Sequence, residues 1–133
     1  MKRSLFLSLL LVGLVIFCLR CGSGSNDLEK ANEELHLVKT AIQACLLDAD
    51  ADQLDSAVVS WDGSLGKVTA TSKDAVVYDA TSYLSTSHLQ GRSLKATYDI
   101  SQTGLITDAY NISWKDVEFD ATYPQVSHWV KTP

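Results

Sequence analysis

Apolar side chains recur at alternating spacings of three and four residues through Leu28, Ala31, Leu35, Val38, Ile42, Cys45 and Ala49. Residues three and four apart share one face of an α-helix, so the spacing predicts a single apolar stripe along a helix of about 22 residues. Leu37, Ala41, Ala44 and Leu46 widen that stripe on its flanks, beyond what the narrow seam of a two-stranded coiled coil needs. Such a helix calls for a sheet to lie on. A coiled coil is the rival arrangement, although about three heptads are barely enough for one. Asn26 as N-cap and Glu29 three residues later form a capping box at the helix start. Asp27, Glu29, Glu33 and Glu34 crowd the first turns, where the helix dipole favours negative charge.

The texture changes near residue 56. Ser, Thr, Val and Tyr dominate, and turn signals recur at short intervals. Residues 57–61 read as a strand ending at a turn at Asp62-Gly63-Ser64. Residues 66–72 alternate through Val68 and Ala70, and a turn at Ser72-Lys73-Asp74 leads to a further strand at 75–78. Asp79 is placed to cap one helical turn carrying Tyr83 and Leu84, before a polar loop at 85–92. The clearest hairpin puts Leu94, Ala96, Tyr98 and Ile100 on one face, turns at Ser101-Gln102-Thr103-Gly104, and returns from Leu105 toward Trp114. Val117, Phe119 and Ala121 alternate with Asp116, Glu118 and Asp120, as in an edge strand with a charged solvent face. Residues 124–133, with Pro124 and Pro133, read as a loose tail. One long helix followed by short antiparallel strands predicts an α+β domain in which the helix covers one sheet face. The expected organisation is a signal or anchor segment at 1–20, a Gly/Ser linker at 21–26, a globular domain at 27–123 and the tail.

The first 20 residues have the parts of an export leader. Lys2 and Arg3 give a cationic start, and residues 5–19 are apolar with Ser8 as their one hydroxyl. As a helix this run is about 22 Å long, short of the ~30 Å hydrocarbon core of a bilayer. Without Lys2, Arg3 and Arg20, eight of the 11 basic residues remain against 16 acids, a net charge of −8 for the exported part. That excess repels nucleic acid and anionic headgroups, and no basic patch with interleaved aromatics is present, so no nucleic acid is expected as a partner.

Cys21 followed by Gly22-Ser23-Gly24-Ser25 resembles the lipidation site and flexible tether of bacterial lipoproteins, which implies an acylated Cys21 holding the domain to a membrane. Cys18 and Arg20 stand where such sites carry Leu and a small residue. Cleavage among residues 21–25 and an uncleaved anchor are the other two outcomes. Cys45 is left as a lone cysteine on an apolar helix face, best read as a small buried hydrophobe.

Leu35-His36-Leu37-Val38-Lys39-Thr40-Ala41-Ile42-Gln43-Ala44 leads through an acidic loop into Val59-Ser60-Trp61-Asp62-Gly63. Tyr78-Asp79-Ala80, Tyr83-Leu84 and the 94–106 hairpin then follow. In element order and texture, about 80 residues resemble the globular heads of bacterial type IV pilins and type II secretion pseudopilins. The resemblance implies a long N-terminal helix packed on an antiparallel sheet and contacts with envelope, secretion or pilus proteins. A pilin leader ends in Gly before a hydrophobic helix with Glu at its fifth position. Here no acid precedes Asp27, and residues 22–25 interrupt the helix. The implied arrangement is a pilin-like head on a different anchor.

Asp48, Asp50 and Asp52 have the Asp-x-Asp-x-Asp spacing of a calcium loop, with Asp55 beyond them. Gln53 and Val59 stand where the full pattern needs Gly and Glu, so a solvated acidic turn is the better reading and calcium the alternative. His36, His88 and His128 have no metal-ligand spacing, and no nucleophile elbow or phosphate loop accompanies the many serines. No cofactor is expected. Trp61 and Trp114 are expected in the core or on a sheet face, and Trp129 as a docking handle. The reading that follows is an exported, membrane-tethered, non-enzymatic protein acting through protein–protein contacts. A small periplasmic or surface lipoprotein that binds a ligand or calcium is the alternative.

Overall fold

The computed structural model describes residues 27–84, 94–111, 113–123 and 126–133. Helix α1 spans Asp27–Asp48, matching the length set by the apolar stripe. Its Ala31, Leu35, Val38, Ala41, Ile42 and Cys45 are buried, with Ala49 immediately beyond. These side chains join Trp61, Val68, Ala70, Tyr98, Ile100, Ile106 and Trp129 in one contiguous core. The helix lies on strands of its own chain, so the coiled-coil arrangement is not needed to bury the stripe.

The strands are β1 (Val58–Trp61), β2 (Thr69–Thr71), β3 (Val77–Asp79), β4 (Ala96–Ile100), β5 (Ile106–Asn111), β6 (Val117–Asp120) and β7 (His128–Lys131), with a one-turn helix α2 at Thr81–Leu84 before β4. Strands β1, β4 and β5 form an antiparallel sheet in the order β1-β4-β5, while β2 pairs with β3 and β6 with β7. Ala96, Tyr98 and Ile100 face the core and Thr97 and Asp99 the other way, following the period of two along a strand. Asp79 caps α2 by accepting the Thr81 N–H at 2.9 Å. The fold is α+β, with the long helix over antiparallel strands as the patterning requires.

Gly104 closes the β4–β5 turn at φ +80°, a left-handed conformation that L side chains resist. A Cβ there would lie 3.0 Å from Ile42 Cγ2 and 3.1 Å from Leu46 Cδ1, so the turn packs tightly under α1.

The C-terminus corrects two sequence expectations. Residues 128–131, expected in a loose tail, pair with β6 in the register Phe119↔Trp129 and Asp120↔His128. Trp129, expected as an exposed handle, is only 1% exposed. Its ring meets Phe119, Trp114 and Tyr98 edge-on at centroid distances of 5.2, 5.4 and 6.5 Å. Edge-on aromatic contacts and the burial of a large apolar ring outweigh the freedom a terminal segment gives up on ordering.

Candidate functional site

Cys21, the Asn26 cap and the 85–92 loop lie outside the described residues. The three aspartates of the proposed calcium loop are described, and they do not converge. The Ala51 N–H donates to the Leu46 carbonyl at 3.0 Å and the Asp50 N–H to that of Leu47 at 3.1 Å. With Asp50 at φ +49°, this is a Schellman cap ending α1, with Asp in the left-handed position that Gly usually fills. Asp48 accepts the Tyr83 hydroxyl at 2.6 Å, which pushes that phenol up to about 12. Asp50 pairs with Lys73 at 3.3 Å on the open surface. Among the described residues no group of three or more His, Cys, Asp or Glu side chains is disposed to hold a metal ion. Asp50 thus ends the helix, and Asp48 and Asp50 each tie a surface segment to its C-terminal end.

Other carboxylates have similar duties. Asp55 accepts the Thr69 hydroxyl at 2.7 Å and both the hydroxyl and N–H of Thr71 at 3.0 Å. These bonds hold the segment after α1 to β2 and lower the carboxyl below its ordinary value, the Thr69 bond most. Asp120, in the alternating acidic row, is lowered by its bonds to Thr122. Burial pushes the Cys45 thiol up to about 11, which makes it an unreactive core group.

The inner seam contains polar residues that the helix pattern did not single out. Glu34 is buried and accepts the N–H groups of Lys95 at 2.9 Å and Ala96 at 3.1 Å and the Tyr98 hydroxyl at 3.0 Å. Burial raises its carboxyl above the usual range, although these bonds and nearby Lys95 pull the other way. Burial also raises the Tyr98 phenol, with the Glu34 charge adding to it. Asn32 donates to the Trp129 carbonyl at 3.0 Å and accepts the Trp129 N–H at 2.9 Å. Lys39 donates to the Ser127 carbonyl at 2.6 Å, and desolvation lowers its ammonium. One helix thus holds the start of β4 and the edge of β7 through backbone bonds. Glu34 was legible by position: Ala31, Glu34, Val38, Ala41 and Cys45 are themselves three and four apart.

The opposite face of the β1-β4-β5 sheet is centred on Asp99. Both neighbouring strands shift register beside it, β1 between Val58 and Trp61 and β5 opposite Asp99 and Ile100. The β1 bulge turns Val59 and Ser60 outward together, with Ser60 at φ +53°. Asp99 accepts the Ser60 N–H at 2.8 Å and the Tyr110 hydroxyl at 3.3 Å. The charges of Asp108 and Asp99 raise the Tyr110 phenol. Nothing in the sequence pattern marks this centre, because bulges leave no fixed residue signature.

No family model, curated protein sequence or solved structure matches the chain. Among the described residues no helix is long and apolar enough to cross a membrane.

Proposed function

We propose that the chain is exported, held to a membrane through its N-terminal segment with Cys21 as the lipidation site, and works without catalysis as a pilin-like head. In this reading it makes protein–protein contacts within a cell-surface or secretion assembly. The observation that carries it is the closure of the helix–sheet seam. The space between α1 and the strands is filled by Val38, Ile42, Trp61, Tyr98 and Trp129, each 1% exposed or less. Asn32, Glu34 and Lys39 use their polar atoms on the backbone of β4 and β7 and of Ser127 just before it. A head braced in this way is suited to presenting rigid outer surfaces. The alternative of a ligand held between helix and sheet has less support, since that space is packed with side chains. Calcium at the acidic turn likewise has less support, since among the described residues no group of three or more His, Cys, Asp or Glu side chains is disposed to hold a metal ion.

Fractionation of cells producing the full chain tests this reading. The wild type is expected in the membrane fraction with its head digested by protease added from outside, and Cys21→Ser in the soluble exported fraction. A head that resists external protease in intact spheroplasts but is digested once they are lysed contradicts export.

A further inference from the structure

We infer that the outer face of the β1-β4-β5 sheet docks a basic protein segment, with an arginine or lysine side chain received between Asp99 and Asp108 and an apolar neighbour resting on Val59 and Tyr110. This rests on the reading of the chain as a contact-making head and names the surface and the partner chemistry.

Asp99 and Asp108 are direct cross-strand partners. Like charges placed opposite one another destabilise a sheet. Among the described residues the ion pairs are Lys30–Asp27 and Lys73–Asp50, so neither carboxylate has a cation there. Two carboxylates alone offer too few oxygens for a hard metal ion, which takes six or more. A guanidinium or ammonium needs fewer partners, and a carboxylate pair suits its hydrogen-bonding geometry.

Apolar and aromatic surface flanks the acids. Val59 is 72% exposed and Tyr110 47% exposed. Turning Val59 outward requires the bulge, with Ser60 in a left-handed conformation uncommon for residues other than Gly. Tyr110 lies beside the carboxylates through its bond to Asp99, where its ring can also meet a cation. The two carboxylates repel phosphate-bearing headgroups, which favours a protein partner over a lipid surface.

The probe is a fluorescent peptide alternating arginine and valine, with a glutamate–valine peptide as control, titrated into the full chain in detergent. The arginine peptide is expected to bind and the control not. Binding is expected to weaken about tenfold in the double variant Asp99→Asn, Asp108→Asn, and again on raising salt from about 50 to about 300 mM. Val59→Ser, at an exposed position that leaves the core intact, is expected to weaken it severalfold, while Glu118→Gln on β6 has no effect. Equal binding by wild type and the double variant, or an equal loss in Glu118→Gln, overturns the assignment. Photo-crosslinking in living cells separates this proposal from the reading beneath it. Protein adducts from a crosslinker at Val59 support the surface. Adducts only from Leu47 overturn the surface while keeping a contact-making head, and adducts from no exposed position overturn both.

Discussion

Asn32 on α1 and Trp129 in β7 exchange two hydrogen bonds, the side-chain amide donating to the Trp129 carbonyl at 3.0 Å and accepting its N–H at 2.9 Å. The amide does for the edge of β7 what a neighbouring strand residue would do. Because among the described residues β7 otherwise pairs with β6 alone, this contact joins the C-terminal hairpin to the long helix. It also covers part of a strand edge that would be open to pairing with another chain.

Asn32→Ala leaves both Trp129 backbone groups without these partners. The expected loss is about 2–3 kcal/mol, since each buried group left unsatisfied costs more than an average hydrogen bond contributes. Urea denaturation followed by tryptophan fluorescence measures it. A loss below the usual surface range would show that solvent replaces the amide freely.

Trp129→Ala removes the ring at the centre of the Tyr98, Trp114 and Phe119 contacts. A destabilisation of about 3–5 kcal/mol is expected, as for other large core residues cut to alanine. Truncation before residue 127 is expected to do at least as much harm. A truncated chain with wild-type stability would restore the loose-tail description of the C-terminus.

Gly104→Ala adds a methyl group at positive φ that meets Ile42 and Leu46 of α1. Strain and overpacking together are expected to cost about 2 kcal/mol, seen as a lower melting temperature by calorimetry. An unchanged melting temperature would mean that the turn stands off the helix.

Glu34 gives stability a pH dependence of definite sign. Its folded carboxyl titrates above the ordinary range because it is buried, so the folded state holds this proton to higher pH than the unfolded chain does. Its contribution is fully present below the unfolded value and is lost as pH rises through the folded one. Asp55, lowered in the folded state, acts oppositely: its contribution is present above the unfolded value and is lost as pH falls through the folded one. Comparing denaturation from about pH 2 to about pH 7, which spans both sides of ordinary carboxylate titration, Glu34→Gln is expected to remove the downward step and Asp55→Asn to flatten the acid limb. A profile unchanged in Glu34→Gln would place that carboxylate in water.

Much of the core was legible because its elements have strong periods. The stripe through Ala31, Leu35, Val38, Ile42 and Cys45 fixed α1, and the alternation of Ala96, Tyr98 and Ile100 marked β4 and its inner face. Polar seam residues were harder to read. Glu34 falls in the buried register, but an acid in the first turns of a helix is equally explained by the dipole, and composition does not separate the two. Asp50 in the left-handed cap position resembled a calcium ligand, because Asp serves both geometries. β7 was missed because a four-residue strand after Pro124 has no period to measure, and the cause of its order is the distant ring of Trp129. The surface around Asp99 depends on two bulges, which arise from pairing between strands rather than from any one segment.

Export and tethering underlie the proposed function, and the N-terminus of the protein purified from its own cells tests them most directly. Mass spectrometry is expected to find a chain beginning at Cys21, heavier than its sequence by a diacylglyceryl or triacyl modification. A soluble cytosolic chain that still begins at Met1, without any lipid mass, would contradict it.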